Sequence, residues 1–220
     1  MSTGGPAGKV LVRAPDDAAV LAVARAAAAT VGAELRPAAT ADGHALAREL
    51  DRPGVLTVVS RADDVGWALV AEAGKPVLLV PAAVVRVAAR LDRVLAPLDG
   101  SPAAAASLAA AEAFLGGELV VLHVFDARAV PRFWDHPAHA ERAWRHEFRA
   151  RWCDRPGTRL ELRTGDAPDR VLEVAHEEAA DVVLLGWSQC LDPGRAALVR
   201  RTVAEADVPV LLVPTDGDVP

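Results

Sequence analysis

Apolar residues along the chain fall into two alternating patterns. Short, nearly unbroken runs at Lys9–Ala14, Ala33–Pro37, Val55–Ser60 and Pro76–Val80 are separated by segments of helical length rich in Ala, Val and Leu. The spacing predicts helices from Pro15 to about Val31, from Asp42 to Leu50 and from Asp63 to Ala73. Asp16 and Asp17 suit a first helical turn, and Gly32 suits a C-terminal stop. Residues 82–91 read as a linker or short helix, after which the pattern restarts. Runs at Arg93–Pro97, Glu118–Phe125, Leu160–Arg163, Asp181–Gly186 and Pro209–Val213 flank helices at Pro102–Leu115, Ala167–Ala179 and Arg195–Ala206. Alternation of this kind predicts parallel βαβ units, and runs that are apolar throughout suit strands buried on both faces.

One stretch occurs twice. Val70–Pro81 and Val203–Pro214 are identical at ten of twelve positions, at an offset of 133 residues. Each copy reads as a helix end, a tight turn and an apolar strand bounded by prolines. Such a repeat sets the architecture before any single residue does. The first strands of the copies are offset by 84 and the last by 133, so the second copy carries 49 extra residues. Aligning helix 42–50 and strand 55–60 with helix 167–179 and strand 181–186 makes the first copy the reduced one, short of a helix–strand unit. Strands 76–80 and 209–213 carry no charge, and unpaired they would be aggregation-prone edges. The expectation is that they pair with each other, as a pseudo-dimer within the chain.

Bulk composition narrows the function classes. With 52% hydrophobic residues in 220, the chain can bury one large domain or two small ones. A net charge of −6 argues against a general nucleic-acid binder. No stretch reaches the roughly 20 apolar residues of a membrane span, and the start has no signal-peptide pattern. Cys153 and Cys190 form no disulfide framework, which points to a reducing cytoplasm. Residues 1–8 and 215–220 are expected to be tails.

Residues 92–214 resemble a universal stress protein domain. The resemblance rests on Val94-Leu95-Ala96-Pro97-Leu98-Asp99-Gly100-Ser101, on Leu122-His123-Val124, on Gly165-Asp166-Ala167-Pro168, on Ala180–Gly186 and on Pro209–Pro214. For residues 9–81 it rests on the repeat alone, so the whole chain is similar to a tandem universal stress protein with a degenerate first domain. The resemblance implies an α/β, Rossmann-like fold with sheet order 3-2-1-4-5 in the second domain, reduced in the first. It implies a non-catalytic stress-response protein, and pairing through the last strand, within the chain or between two copies. It also implies ligand binding beyond the strand ends at the switch point, ATP or another adenine nucleotide being the family's cofactor class.

Carried over residue by residue, Asp99, Gly100, Val124, Gly165 and Gly186 stand where the family's nucleotide-binding pattern wants them. The phosphate loop, G-x2-G-x9-G-[ST] in ATP-binding members, departs from it. Gly186 is followed by Trp187, Ser188 and Gln189, so Gln189 replaces the second glycine. Ala196-Ala197 replace the closing Gly-Ser, and the loop is three residues shorter. Backbone amides approach phosphate closely only where side chains are absent. Asp192 adds repulsion, while Arg195, Arg200 and Arg201 are the cations that could answer it. A modified pocket for an adenine nucleotide or a smaller adenosine-like ligand is one expectation. The other is a vestigial pocket in a protein-interaction module.

Other motifs weigh less. Gly186-Trp187-Ser188-Gln189-Cys190 nearly spells a nucleophile elbow, but no histidine follows Ser188 in the chain, as that order of triad requires. Pro15-Asp16-Asp17 and Lys75-Pro76 read as a helix cap and a turn. Residues 131–155 hold five of the nine aromatics; Trp144, Phe148 and Trp152 share one helical face, after a start marked by Asp135 and Pro137. Packing on the sheet is expected for that face, with a protein-partner surface as its rival. Glu141–Arg145 and Glu147–Arg151 are at ion-pair spacing. His136, His139, His146 and Cys153 make a weak metal pattern, and His123 reads as a satisfied core histidine.

Overall fold

The computed structural model describes residues 8–84, 86–125, 137–153, 155–189 and 193–215. Asp135, His136, Phe133 and Trp134, together with Cys190, Asp192 and most of both tails, lie outside them.

Residues 9–80 contain β1 (Lys9–Val12), α1 (Ala18–Val31), β2 (Glu34–Pro37), α2 (Gly43–Leu50), β3 (Val55–Arg61), α3 (Asp64–Glu72) and β4 (Val77–Val80). Each helix starts on an aspartate: Asp17, Asp42 and Asp63 accept backbone N–H bonds from the first turns of α1, α2 and α3. Gly32, at φ +63°, ends α1 in the left-handed region that glycine enters without steric cost. Lys75, expected in a turn, holds the end of α2. Its Nζ donates to the carbonyls of Leu50, Arg52 and Val55 at 2.9–3.0 Å. Replacing it with Met should cost about 1–3 kcal/mol in chemical denaturation, since these carbonyls lose a charged donor.

The second series runs β5 (Arg93–Pro97), α4 (Pro102–Ala110), β6 (Glu118–Phe125), α5 (Pro137–Trp152), β7 (Arg159–Thr164), α6 (Ala167–Glu177), β8 (Val182–Trp187), α7 (Pro193–Glu205) and β9 (Val210–Pro214). The helix expected to run from Pro102 to Leu115 ends at Ala110 and tightens into a 3₁₀ turn at Glu112–Phe114. That turn buries Phe114 and Leu115 just before Gly116-Gly117. Residues 82–91, where a short helix was one option, contain no helix among the described residues. Val84 and Leu91 sink into the core instead, and Leu91 N–H donates to Thr30 Oγ1 at 2.7 Å.

All nine strands form one sheet, ordered β2-β1-β3-β4-β9-β8-β5-β6-β7. Strands β5 to β9 follow the 3-2-1-4-5 order expected for them. Every pairing is parallel except β4 with β9. At that seam Val77 faces Leu212, Leu78 faces Leu211, and Leu79 faces Val210. Leu78 and Leu211 are equivalent positions of the sequence repeat, so the register is symmetric about that one pair. The residues of both strands from Val77 to Val80 and Val210 to Val213 are at most 1% exposed.

Two apolar layers cover the sheet, and each runs across the seam. One layer packs α1, the 3₁₀ turn and Phe148 of α5 on residues such as Val10, Leu78, Val94 and Leu211. The other packs α2, α3, α6 and α7 on Leu11, Leu79, Leu95 and Leu212. The outer edges differ in kind from the seam. β2 is four residues long and ends in Pro37. β7 carries Arg159, paired with Glu118 and Glu178, and Arg163, paired with Glu161 and Glu177. Short or charged edges resist further strand addition. No helix among the described residues is long and apolar enough to cross a membrane.

Candidate functional site

The connections from β5 and β8 leave their neighbouring strands toward opposite faces. α4 follows β5 onto one layer, while α7 follows β8 onto the other. Between diverging connections an open sheet has a crevice at its carboxyl end. Here that crevice is a cleft of about 140 Å³. Leu98 and Asp99 form one wall, Leu122 and Val124 of β6 another, and Gly186, Trp187 and Ser188 a third. Ala167, Val171 and Val199 close it from α6 and α7.

The turn after β5 is locally determined. Asp99 Oδ1 accepts the Ser101 N–H at 2.8 Å, Gly100 sits at φ +85°, and Ser101 caps α4 by accepting the Ala104 N–H at 3.1 Å. The Asp99 carboxylate is exposed at the cleft mouth. His123 is buried as expected, with Nδ1 2.8 Å from the Leu98 carbonyl, which fixes the backbone just before Asp99.

Of the eight residues singled out in the sequence, Asp99, Val124, Gly186, Trp187 and Ser188 line this cleft, and Gly100, Gly165 and Gln189 do not. Gly100 lies against Phe148 and Trp152 of α5, on the other side of the turn. Gly165, at φ +129°, is covered by the Arg170 side chain. Gln189 stands in the left-handed region, at φ +59°, at a cost of roughly 1–2 kcal/mol. Its amide crosses the seam, donating to the Ala73 carbonyl at 2.7 Å. Trp187 crosses too: it is buried and packs edge-on against Trp67 of α3, ring centres 6.4 Å apart.

The electrostatics are one-sided. Asp99 is the single charged residue among the described residues lining the cleft. Arg201, a proposed anion ligand, is engaged by Asp166, Asp169 and Glu205. Arg200 lies over the Trp67 ring, 5.5 Å from its centre. The side chain of Arg195 lies outside the described residues. Ser188 makes no hydrogen bond to a basic side chain among the described residues, and none of them group into a metal site.

Beyond the ends of β1 and β3 lie two arginine–aspartate clusters. Arg13, nearly buried, donates through Nε to Ser60 Oγ at 2.7 Å and through its terminal nitrogen to Asp63 at 2.5 Å. Arg61 forks onto both Asp17 oxygens at 2.5–3.0 Å and also reaches the Pro81 carbonyl at 3.1 Å. The Arg61 hydrogen bonds hold the Asp17 carboxyl below its ordinary value. Burial pushes Asp63 up, but Arg13 and the Gly66 N–H together outweigh it, and Asp63 also ends below the usual carboxylate range. The sequence pattern places Asp17 and Asp63 at helix starts; their arginine partners lie 44 and 50 positions away, with no local signal.

The family described as the Universal stress protein family matches residues 90–214. The chain belongs to that family. No curated protein matches the chain. A solved universal stress protein from Archaeoglobus fulgidus is similar over 93% of this chain and 77% of its own, with a TM-score of 0.61 and 15% identity. A functionally unknown protein from Pseudomonas aeruginosa PAO1 is similar over 94% of this chain and 92% of its own, with a TM-score of 0.59 and 14% identity. At such identities these likenesses concern the fold. The universal stress protein match covers β5 to β9 and with them every residue lining the open crevice except Thr215, whereas the Arg13 and Arg61 clusters lie outside it.

Proposed function

We propose that this universal stress protein is a non-catalytic ligand-binding protein whose site is the open crevice beyond β5 and β8. Residues 92–214 form the binding unit. Residues 9–81 form a degenerate companion unit that has lost its own site and pairs with the first as a pseudo-dimer. The symmetric register at Leu78 and Leu211 supports that arrangement, since self-matching contacts are the mark of two-fold interfaces.

The ligand is an adenosine-like molecule in preference to a triphosphate. One observation carries this: the cleft's single described charge is the Asp99 carboxylate, and the described arginines nearby are engaged elsewhere. A cleft of about 140 Å³ matches the size of cavity that admits an aromatic ring. Asp99 accepts the donors of the base or ribose, Val124 packs on the ring, and Trp187 and Ser188 occupy the end where phosphates would lie. Gln189, tied to Ala73, braces that loop from outside.

The test is thermal unfolding with adenosine, AMP, ADP and ATP, each with and without Mg²⁺. Adenosine at about 100 times its Kd should add roughly 2.7 kcal/mol, or about 5–10 °C in Tm for a chain of this size. Asp99→Ala should abolish that shift, and ATP should give the smallest one. A larger shift with Mg-ATP than with adenosine would refute the preference. No shift with any of the four would favour the second reading, a protein-interaction module acting through residues 131–155. For that reading the specific observation is Trp144, 41% exposed.

A further inference from the structure

We propose that a second cleft, on the α5 side of the Asp99 turn, binds a small organic cation carrying an alkylammonium group. This cleft measures about 130 Å³ and lies between α5 and the Asp99–Gly100 turn. Its walls are aromatic: Trp144, Phe148 and Trp152, the three residues that the helical period places on one face. Phe148 and Trp152 pack into the core as that period predicts, whereas Trp144 keeps 41% of its surface in solvent. His123 stacks on Trp144 at 5.7 Å between ring centres and Phe125 lies at 5.4 Å, so the indole is held in place. Gly100 keeps the floor open. A methyl group there would stand 3.5 Å from Phe148 and 3.9 Å from the Trp152 nitrogen.

Two carboxylates, Asp99 and Glu147, and one guanidinium, Arg151, line this cleft, which leaves it net negative. Glu147 stands four residues before Arg151, the spacing of a helical ion pair. The pair does not form. The Arg151 guanidinium lies instead over the Trp152 ring, 4.9 Å from its centre. Glu147 makes no ion pair or hydrogen bond among the described residues, and Asp99 is engaged only by the Ser101 N–H. An electron-rich ring face beside unneutralised carboxylates is the complement of an ammonium group. Arg151 over Trp152 already places one cation on this aromatic wall. Anions are repelled by the same two carboxylates, and the volume suits one compact alkylammonium head rather than a long chain.

The inference does not rest on the adenosine reading, and variants that touch only the second cleft separate the two. Choline chloride is titrated into the full chain while tryptophan fluorescence is followed, with sodium chloride matching ionic strength. 3,3-Dimethylbutan-1-ol, which replaces the charged nitrogen by carbon, serves as the neutral control. Saturable binding of choline is expected, with at least tenfold weaker binding of the neutral compound. Glu147→Gln, a change on an exposed helical surface, should weaken choline binding about tenfold and leave the adenosine shift unchanged. Trp144→Leu should abolish choline binding, and Trp144→Phe, which keeps a ring against His123, should retain part of it. Absence of saturation with choline overturns the proposal. So does an equal response to the neutral compound, or an unchanged affinity in Glu147→Gln.

Discussion

Leu211→Ala should lower stability by about 2–5 kcal/mol, the range for emptying a fully buried leucine site. For a chain of this length that is a fall of roughly 5–20 °C in Tm. Leu78→Ala should behave alike, because the two residues are equivalent in the repeat, face each other across the β4–β9 seam and are both fully buried. The double variant is the informative one. Residues in contact do not add, and a coupling of at least 0.5 kcal/mol in the cycle would report their contact directly. Additive losses, or a Leu211→Ala variant no less stable than the parent, would mean that the seam is not packed as described.

Asp63→Ala should cost about 3 kcal/mol at neutral pH. It leaves the nearly buried Arg13 without its carboxylate, and breaking a buried pair from one side costs about 3–5 kcal/mol. The lower end applies because Asp63 itself is 43% exposed. Part of the loss is the missing cap on α3, and Asp63→Asn, which can still cap, should recover that part. The pair also sets the response to acid. Asp63 and Asp17 both have native values below their ordinary ones, so their contribution is complete above about pH 4 and fades as pH falls through the native values. Melting curves from pH 7 to pH 2 should therefore drop more steeply for the parent chain than for Asp63→Asn. Parallel curves would remove the Arg13–Asp63 pair from the account of acid lability.

What the sequence made legible follows from how locally each feature is determined. The repeated Pro-Val-Leu-Leu-Val-Pro strand foretold the seam, because a charge-free strand needs cover on every side. Helix starts were readable from Asp17, Asp42 and Asp63, since capping acts over three residues. The 3₁₀ turn at Glu112–Phe114 was not, because burial of Phe114 and Leu115 decides it and helical propensity does not. Asp99, Val124 and Gly186 reached the crevice because strand ends fix their positions. Gln189 did not, as its amide answers a carbonyl on the other side of the seam, 116 residues away. Arg201 had one legible partner, Glu205 at helical spacing, but Asp166 and Asp169 come from another helix. Glu147 and Arg151 had the right spacing and still part, because an indole face competes for the guanidinium.

The seam also has a history during synthesis. β4 leaves the ribosome 133 residues before the matching positions of β9, and at 5–20 residues per second that interval is roughly 7–27 s. For that time the nascent chain carries a finished apolar edge whose partner does not yet exist. A second nascent chain on the same messenger presents the same edge in the same state, and the symmetric register at Leu78 would let the two pair with each other. The speed of translation through the second half therefore sets how long the strand waits for its own chain.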